Sequence, residues 1–487
     1  MLVMALDVGT SSARAACFGT DGALVPGALA QVAYEVVTTP DGGAELDPDA
    51  LVDAVALALD QCLAGCRRRR ETEIAAVSAS VFWHSLLALD AAGAPLTRVI
   101  TWADTRSAPD AAELRGLLDE RAVHARTGAP LHSTFFPAKL RWLRRVRPDV
   151  FERARIWCGF GEYLVARLTG TLRVSISMAS GTGLMDQTTA TWDRELLESC
   201  GISAAQLPVI DDAPVSGLEP AFVPRWSVLA RLPWYPPYGD GACSNIGSGC
   251  ASADRVALNV GTSSAMRIVA PVGGVTPWGL WRYRVDAARA LVGGATSEGG
   301  NVVAWCRRML ALPADDDELE RAILAVPADG HGLTVLPFLA GERSVGWRGD
   351  ARGAVTGLAL GTSPAAIVRA FMEAVAYRLA LVYERLAPLA SPDHRIIASG
   401  GAVTRSALWA GIVADALGVP IARAADIEAS ARGAALLALE RLGVRVDSRP
   451  LVADTFQPDP ERHALYRAAR ERQQRLYDDV VVGPRVS

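Results

Sequence analysis

Lysine is all but missing from this chain. Lys139 is the only one, and arginine supplies nearly all of the 49 cationic side chains. No Gly-Lys-Ser or Gly-Lys-Thr sequence exists, so a Walker-type phosphate loop is excluded. No uninterrupted apolar run is long enough to span a bilayer. The amino terminus has no basic region before its apolar stretch, and Asp7 interrupts that stretch, so it does not read as a signal peptide. A cytoplasmic protein without a membrane partner is expected. Zinc-ligand spacing is absent from the eight cysteines. Cys62 and Cys66, four apart, would share one face of a helix, but no second pair or histidine cluster accompanies them. Buried free thiols are the expectation. The formal net charge of −4 gives no electrostatic reason for nucleic acid as a partner. The arginine run 67–70 reads as a solvated helix end or loop.

Half of the residues are hydrophobic and 21% are charged, as in a packed enzyme and unlike a disordered chain. At 487 residues, two domains are the natural division. One internal repeat supports that division. Ala5 to Arg14 reads ALDVGTSSAR, and Ala257 to Arg267 reads ALNVGTSSAMR. Each copy is an apolar strand running into a turn of glycine and small hydroxyl residues, whose backbone N–H groups and hydroxyls can wrap an anionic oxygen cluster. Two facing copies would grip a polyphosphate from both sides.

Strands alternate with helical stretches along the rest of the chain, which predicts an α/β protein with layered sheets. The spacing predicts helices over 135–146, 151–168, 363–386 and 429–442. Pro-rich linkers are expected over 207–238, and the division between halves falls near Asn245, giving domains 1–245 and 246–487. The closing helix near 463–480 could dock on either half.

Asp7 ends the first strand beside a candidate phosphate turn, where a carboxylate suits a Mg²⁺ ion. Its counterpart in the second half is Asn259. Asp240 starts a helix of small residues, where the positive end of the helix dipole stabilises its charge and flanking glycines permit close approach of a hydroxyl. It is the candidate general base, although Asp is also a preferred helix N-cap and the residue alone leaves that reading open. Gly400 and Gly401, between a strand and a helix that carries Arg405, form a third site of backbone donors. His84 and the alternate positions Trp102, Asp104 and Arg106 offer an imidazole, a flat wall, an acceptor and a bidentate donor. That set suits a polyhydroxy acid.

Taken together, DVGTSSAR, GDGACSNIGSG, LNVGTSSAM, GERSVGWRGDARGAVTGL, SGGAVTRSALW and EASARGAALLAL resemble the FGGY carbohydrate kinases over nearly the whole chain. FWHSLLALD, TWADTRS and RTGAPLH are most similar to the gluconate kinases, with xylulose kinases the nearest rival. The resemblance implies two duplicated actin-like, Hsp70-like (ribonuclease H-like) ATPase domains around a central cleft. It implies ATP and Mg²⁺ as cofactors and a small sugar or sugar acid as substrate, most readily D-gluconate converted to 6-phosphogluconate. By resemblance, Asp240 matches the catalytic base, and Asp7, Thr10, Ser11, Ser12 and Arg14 match the metal and phosphate turn. Gly261 and Thr262 match the second phosphate turn, Gly400, Gly401 and Arg405 the nucleotide segment, and His84, Trp102, Asp104 and Arg106 the sugar positions. Glu298 departs from the family pattern by adding a carboxylate that would oppose an anionic acceptor, and Phe135-Phe136 is bulkier than the pattern at the pocket wall. An ATPase of the same superfold that serves a protein partner, without sugar chemistry, is the alternative from another class. The oligomeric state is left open, with a homodimer among the options.

Overall fold

The computed structural model describes residues 1–68, 73–424, 428–450 and 452–483. Two seven-stranded sheets carry the architecture. In the first, strand Leu2–Val8 is buried along almost its whole length and pairs antiparallel with Ser12–Gly19, which pairs in turn with Leu24–Ala33. On its other side it pairs parallel with Ile74–Val81, a pairing that needs a crossover, supplied by helix Pro48–Arg68. The second sheet repeats the plan. Strand Arg255–Val260 pairs antiparallel with Ser264–Pro271 and parallel with Arg395–Ser399, and helix Pro364–Leu386 covers the face between. Ser363 caps that helix, accepting from the Ala366 amide at 3.2 Å.

The repeat seen in the sequence is therefore a repeat of topology, and its register brings equivalent residues to equivalent places. Asp7 stands opposite Arg14 and Ser80, and Asn259 stands opposite Ala265 and Ser399.

Several elements differ from the sequence reading. The single helix expected over 151–168 is interrupted. Helix Pro148–Arg153 gives way to strand Ile156–Cys158, which pairs with Leu87–Leu89, and helix Phe160–Thr169 restarts at Gly159, whose amide donates to Glu162 Oε2 at 2.6 Å. The expected linker 207–238 supplies short strands Val215–Ser216, Pro233–Trp234 and Tyr238–Gly239 to the first sheet. The closing helix, Pro460–Tyr477, docks on the second half, with Tyr466 and Ala469 in its core. Arg67 and Arg68 end the first long helix, while 69 and 70 lie outside the described residues. All eight cysteines are free and buried. Cys17 joins the expected Cys62–Cys66 pair, 3.9 and 3.2 Å from their sulfurs, a cluster whose third member comes from a strand.

Helix Ala429–Arg441 belongs to the second half in sequence, yet its Ala431, Ala434, Ala435 and Leu436 lie in the core of the first sheet. It crosses helix Asp240–Gly247 backbone against backbone. A Cβ on Gly433 would sit 1.8 Å from the Cys243 carbonyl oxygen, and one on Gly247 would sit 1.8 Å from that of Ala429. Any side chain at either glycine would force the helices apart. The run of small residues in both helices thus fixes the position of the helix that Asp240 begins.

Candidate functional site

Asp7 and Arg14 face each other across the first hairpin. The Arg14 Nη1–H donates to Asp7 Oδ2 at 3.2 Å, and the Ser80 hydroxyl donates to Oδ1 at 2.9 Å. In the second half, Asn259 Nδ2–H donates to the Ser399 hydroxyl oxygen at 3.2 Å. A cavity of about 460 Å³ lies between the two sets, lined by Asp7, Arg14, Asn259, Ser399, Gly400, Gly401 and Arg405. Gly400 adopts φ +92°, and a Cβ there would meet the Val260 carbonyl at 2.6 Å, so only glycine lets these two turns touch. Arg405 folds back, its Nε–H donating to the Gly401 carbonyl at 3.0 Å. The turns Gly9–Ser12 and Gly261–Ser263 are closed by amide-to-carbonyl bonds of 3.0 and 2.9 Å. Thr10, Ser11 and Thr262 lie in these turns, the last two exposed, and Ser12 begins the next strand, buried.

Asp240 opens the helix Asp240–Gly247 and accepts from the Gly241 amide at 2.8 Å. Burial raises its pKa, against the lowering influence of Arg267 and, more weakly, Arg343. Burial likewise raises Asp7 to about 6, opposed by Ser80 and Arg14 and reinforced by the charge of Asp240. The two carboxylates are therefore close enough to repel. A buried carboxylate held up by desolvation and by a second acid is an oxygen donor short of positive charge, which fits a hard divalent cation.

Beside Asp240 lies a cluster of aromatic side chains. Trp83 stacks edge-on to Tyr283 at 4.9 Å, and Trp281 lies flat against Tyr283 at 4.4 Å. His84, at φ +64°, has its Nδ1 2.6 Å from the Gly181 carbonyl, so Nδ1 carries the proton and Nε2 is left as an acceptor. Burial and the nearby Arg343 keep this imidazole neutral, its pKa well below the usual value. Phe135 packs on the His84 ring at 4.9 Å, so its bulk forms a wall of the pocket. Lys139 is fully buried and donates to the carbonyls of His84 at 2.5 Å and Thr101 at 2.8 Å, tying together the two segments that carry His84 and Trp102.

His84 and Trp102 thus come together with Asp240 through shared neighbours, but Asp104 and Arg106 do not join them. The Asp104 carboxylate accepts from the Ala44 amide at 3.0 Å and from Arg106 Nη2 at 2.6 Å. Arg106 also pairs with Glu45 and lies over the Trp142 ring at 4.4 Å, lining a separate depression. Its Nε and Nη2 donors go to Asp104 and Glu45, so those two are not free for the expected bidentate grip on a substrate.

Two arginines that carried no role in the sequence reading stand near Asp240 instead, Arg267 and Arg343. Arg343 lies over the Trp102 ring at 5.4 Å. Nε of both Arg267 and Arg343 is buried without a hydrogen-bond partner among the described residues, as is the Tyr283 hydroxyl. Glu298, whose extra carboxylate was expected to oppose an anionic substrate, is buried and pushed up to about 8, above all by desolvation, so it is mostly uncharged at neutral pH.

A cleft between duplicated sheets lined by glycine turns, with a half-buried acid between it and a cluster of aromatic and cationic side chains, is the plan of a phosphoryl transferase. The profile of the FGGY family of carbohydrate kinases, N-terminal domain, matches residues 2–219, and that of the C-terminal domain matches residues 256–440. The chain belongs to the FGGY family of carbohydrate kinases. It has the two-domain actin-like fold of that family and is an ATP-dependent carbohydrate kinase acting on a small molecule. Gluconokinase of Bacillus subtilis is 29% identical over 468 residues, covering 93% of this chain and 90% of that one. Among solved structures, gluconate kinase from Lactobacillus acidophilus superposes with a TM-score of 0.89 at 28% identity, covering 98% of each chain. Xylulose kinase from the same organism superposes with a TM-score of 0.90 at 28% identity, also covering 98% of each. Among the described residues, no helix is long and apolar enough to cross a membrane.

Proposed function

We propose that this FGGY kinase transfers the γ-phosphoryl group of ATP to the terminal hydroxyl of D-gluconate, giving 6-phosphogluconate, with Asp240 as general base. The observation that carries the chemistry is the position of Asp240, a half-buried acid next to Asp7 of the phosphate cleft and to the aromatic cluster around Trp83. Its raised pKa makes it a better proton acceptor than an exposed aspartate. The choice of gluconate is supported by the likeness to gluconokinases.

In this reading the turns holding Thr10, Ser11, Ser12 and Arg14, and Gly261 with Thr262, cradle the β- and γ-phosphates. Gly400, Gly401 and Arg405 receive the nucleoside end. Asp7 would hold Mg²⁺, which when bound supplies positive charge against the phosphate oxygens. Asp240 takes the proton of the acceptor hydroxyl, and neutral His84 accepts a hydrogen bond from a sugar hydroxyl at Nε2. Trp102 forms a wall, and closure of the halves excludes water as a competing acceptor. The cytoplasm, where ATP is abundant, is the proposed compartment.

The equal likeness to a xylulose kinase keeps D-xylulose as the second reading. An ADP-release screen across aldonates, ketoses and polyols separates them. Rapid turnover of D-gluconate is expected, and turnover of D-xylulose with none on gluconate would move the assignment to the ketose.

A further inference from the structure

Phosphoryl transfer needs one acid and donors for phosphate, and the structure accounts for those around Asp7, Arg14 and Asp240. Among the described residues, Arg343, beside the aromatic cluster, has no salt-bridge partner. Arg343 stands in the segment Gly341–Ser344, held by two bonds from Ser344 to Ala295. The Ser344 amide donates to the Ala295 carbonyl at 2.9 Å, and the Ala295 amide donates to the Ser344 hydroxyl at 3.1 Å. The guanidinium carbon lies over the Trp102 ring, 5.4 Å from its centre, with Nε buried and without a hydrogen-bond partner among the described residues. Around it stand neutral polar groups: the Tyr283 hydroxyl, His84 and His132. The acids whose charge reaches it are Asp240, which the reaction uses, and Glu298, which is mostly protonated at neutral pH.

Arg267 is placed differently. Its Nε lies 3.4 Å from where a Cβ of Gly241 would be, immediately beside Asp240, and Asp240 is the strongest charge acting on it. It belongs to the reacting end of the pocket, whereas Arg343 acts on Asp240 more weakly and sits against Trp102.

We infer that Arg343, stacked on Trp102, forms a carboxylate subsite that selects sugar acids over uncharged sugars by binding the end of the acceptor opposite the reacting hydroxyl. The inference rests on the proposed gluconate reading and names the residue that makes it selective. A planar guanidinium matches a carboxylate bidentately, and the indole face lies beneath it. An uncharged ketose would desolvate this cation and return only hydrogen bonds to neutral oxygens, weaker than those of a carboxylate.

The test compares D-gluconate with D-gluconamide, which keeps every hydroxyl and loses only the charge. In the wild-type enzyme, kcat/KM should favour gluconate. Arg343→Gln should lower kcat/KM for gluconate by roughly 10- to 150-fold, mainly through KM, and for gluconamide by about threefold or less, with the KM for ATP unmoved. Arg343→Lys, which keeps the charge without the fork, should recover part of the loss. It also carries the test if the glutamine variant does not fold. Arg267→Gln should lower both substrates by similar factors. Equal losses on gluconate and gluconamide in the Arg343 variants would overturn the subsite, as would a wild-type enzyme indifferent to the charge. If the enzyme turns over D-xylulose and no aldonate, the functional reading fails separately. Calorimetric binding then decides the subsite: tighter binding of gluconate than gluconamide, lost in Arg343→Gln, supports it, and equal affinities refute it.

Discussion

Asp240→Asn separates catalysis from stability more sharply than any other substitution in this protein. The amide keeps the size of the side chain and an oxygen to accept the Gly241 amide, so the local hydrogen bond survives. What it removes is the proton acceptor. Loss of a general base costs about 10²- to 10⁴-fold in rate, which is about 3–5 kcal/mol of barrier. Stability should move the other way. Burial raises the Asp240 pKa, so the ionised side chain is less at ease in the folded protein than in the unfolded chain, and a neutral amide relieves that cost at neutral pH. The variant is expected to melt at or above the wild-type temperature, bind ATP normally by calorimetry, and lose nearly all ADP release with gluconate at saturation. Thr10→Ala is the control. In the proposed reading it removes one hydrogen bond to a phosphate, worth roughly 10- to 150-fold, and should weaken both ATP binding and turnover. Comparable residual activity in the two variants, or a marked fall in the melting temperature of Asp240→Asn, would refute the reasoning.

Asp7 is raised from 3.8 to about 6, so its ionised form costs the ligand-free protein about 3 kcal/mol at neutral pH, a cost that grows as pH rises through that window. Asp7→Asn should therefore raise the melting temperature at neutral pH, lose that advantage near pH 4, and abolish Mg²⁺-dependent turnover. Arg106→Gln strands the buried Asp104 carboxylate, which should cost about 3–5 kcal/mol in a denaturant titration. The KM for the acceptor should change little in that variant, and a large KM effect would restore Arg106 to the substrate site. Burial lowers Lys139 to about 7, so between there and its unfolded value of 10.5 the folded protein holds fewer protons and gains stability as pH rises. Lys139→Met should erase that gradient in melting curves between about pH 7 and 9, and should raise the KM for the acceptor without moving that for ATP.

The duplicated turns were legible because each is a contiguous motif, and the topology that joins them follows from strands that repeat with their flanks. Asp240 was legible as a candidate, yet the close crossing of Gly247 and Gly433 that fixes its helix joins residues nearly two hundred positions apart. The break in the helix expected over 151–168 follows from the pairing of Ile156–Cys158 with Leu87–Leu89, a tertiary contact that overrides helical spacing. Asp104 and Arg106 misled because alternation puts them on one side of an extended segment without saying that Glu45 and Trp142 wait there. Arg267 had a signal. It closes the second copy of the repeat one position later than Arg14 closes the first. The second turn is also tighter, so Arg14 stands across from Asp7, whereas Arg267 stands across from Ala257. Arg343 had none beyond its place in a quoted motif, since its lack of a salt-bridge partner among the described residues is visible only in three dimensions.

The most direct measurement is a crystal structure of the enzyme with D-gluconate, Mg²⁺ and a non-hydrolysable ATP analogue. The account predicts the Asp240 carboxylate at about 2.6–3.2 Å from the terminal hydroxyl of the acceptor, with that oxygen aimed at the γ-phosphorus. An Asp240 side chain turned away from the acceptor, with another group holding the hydroxyl, would contradict it.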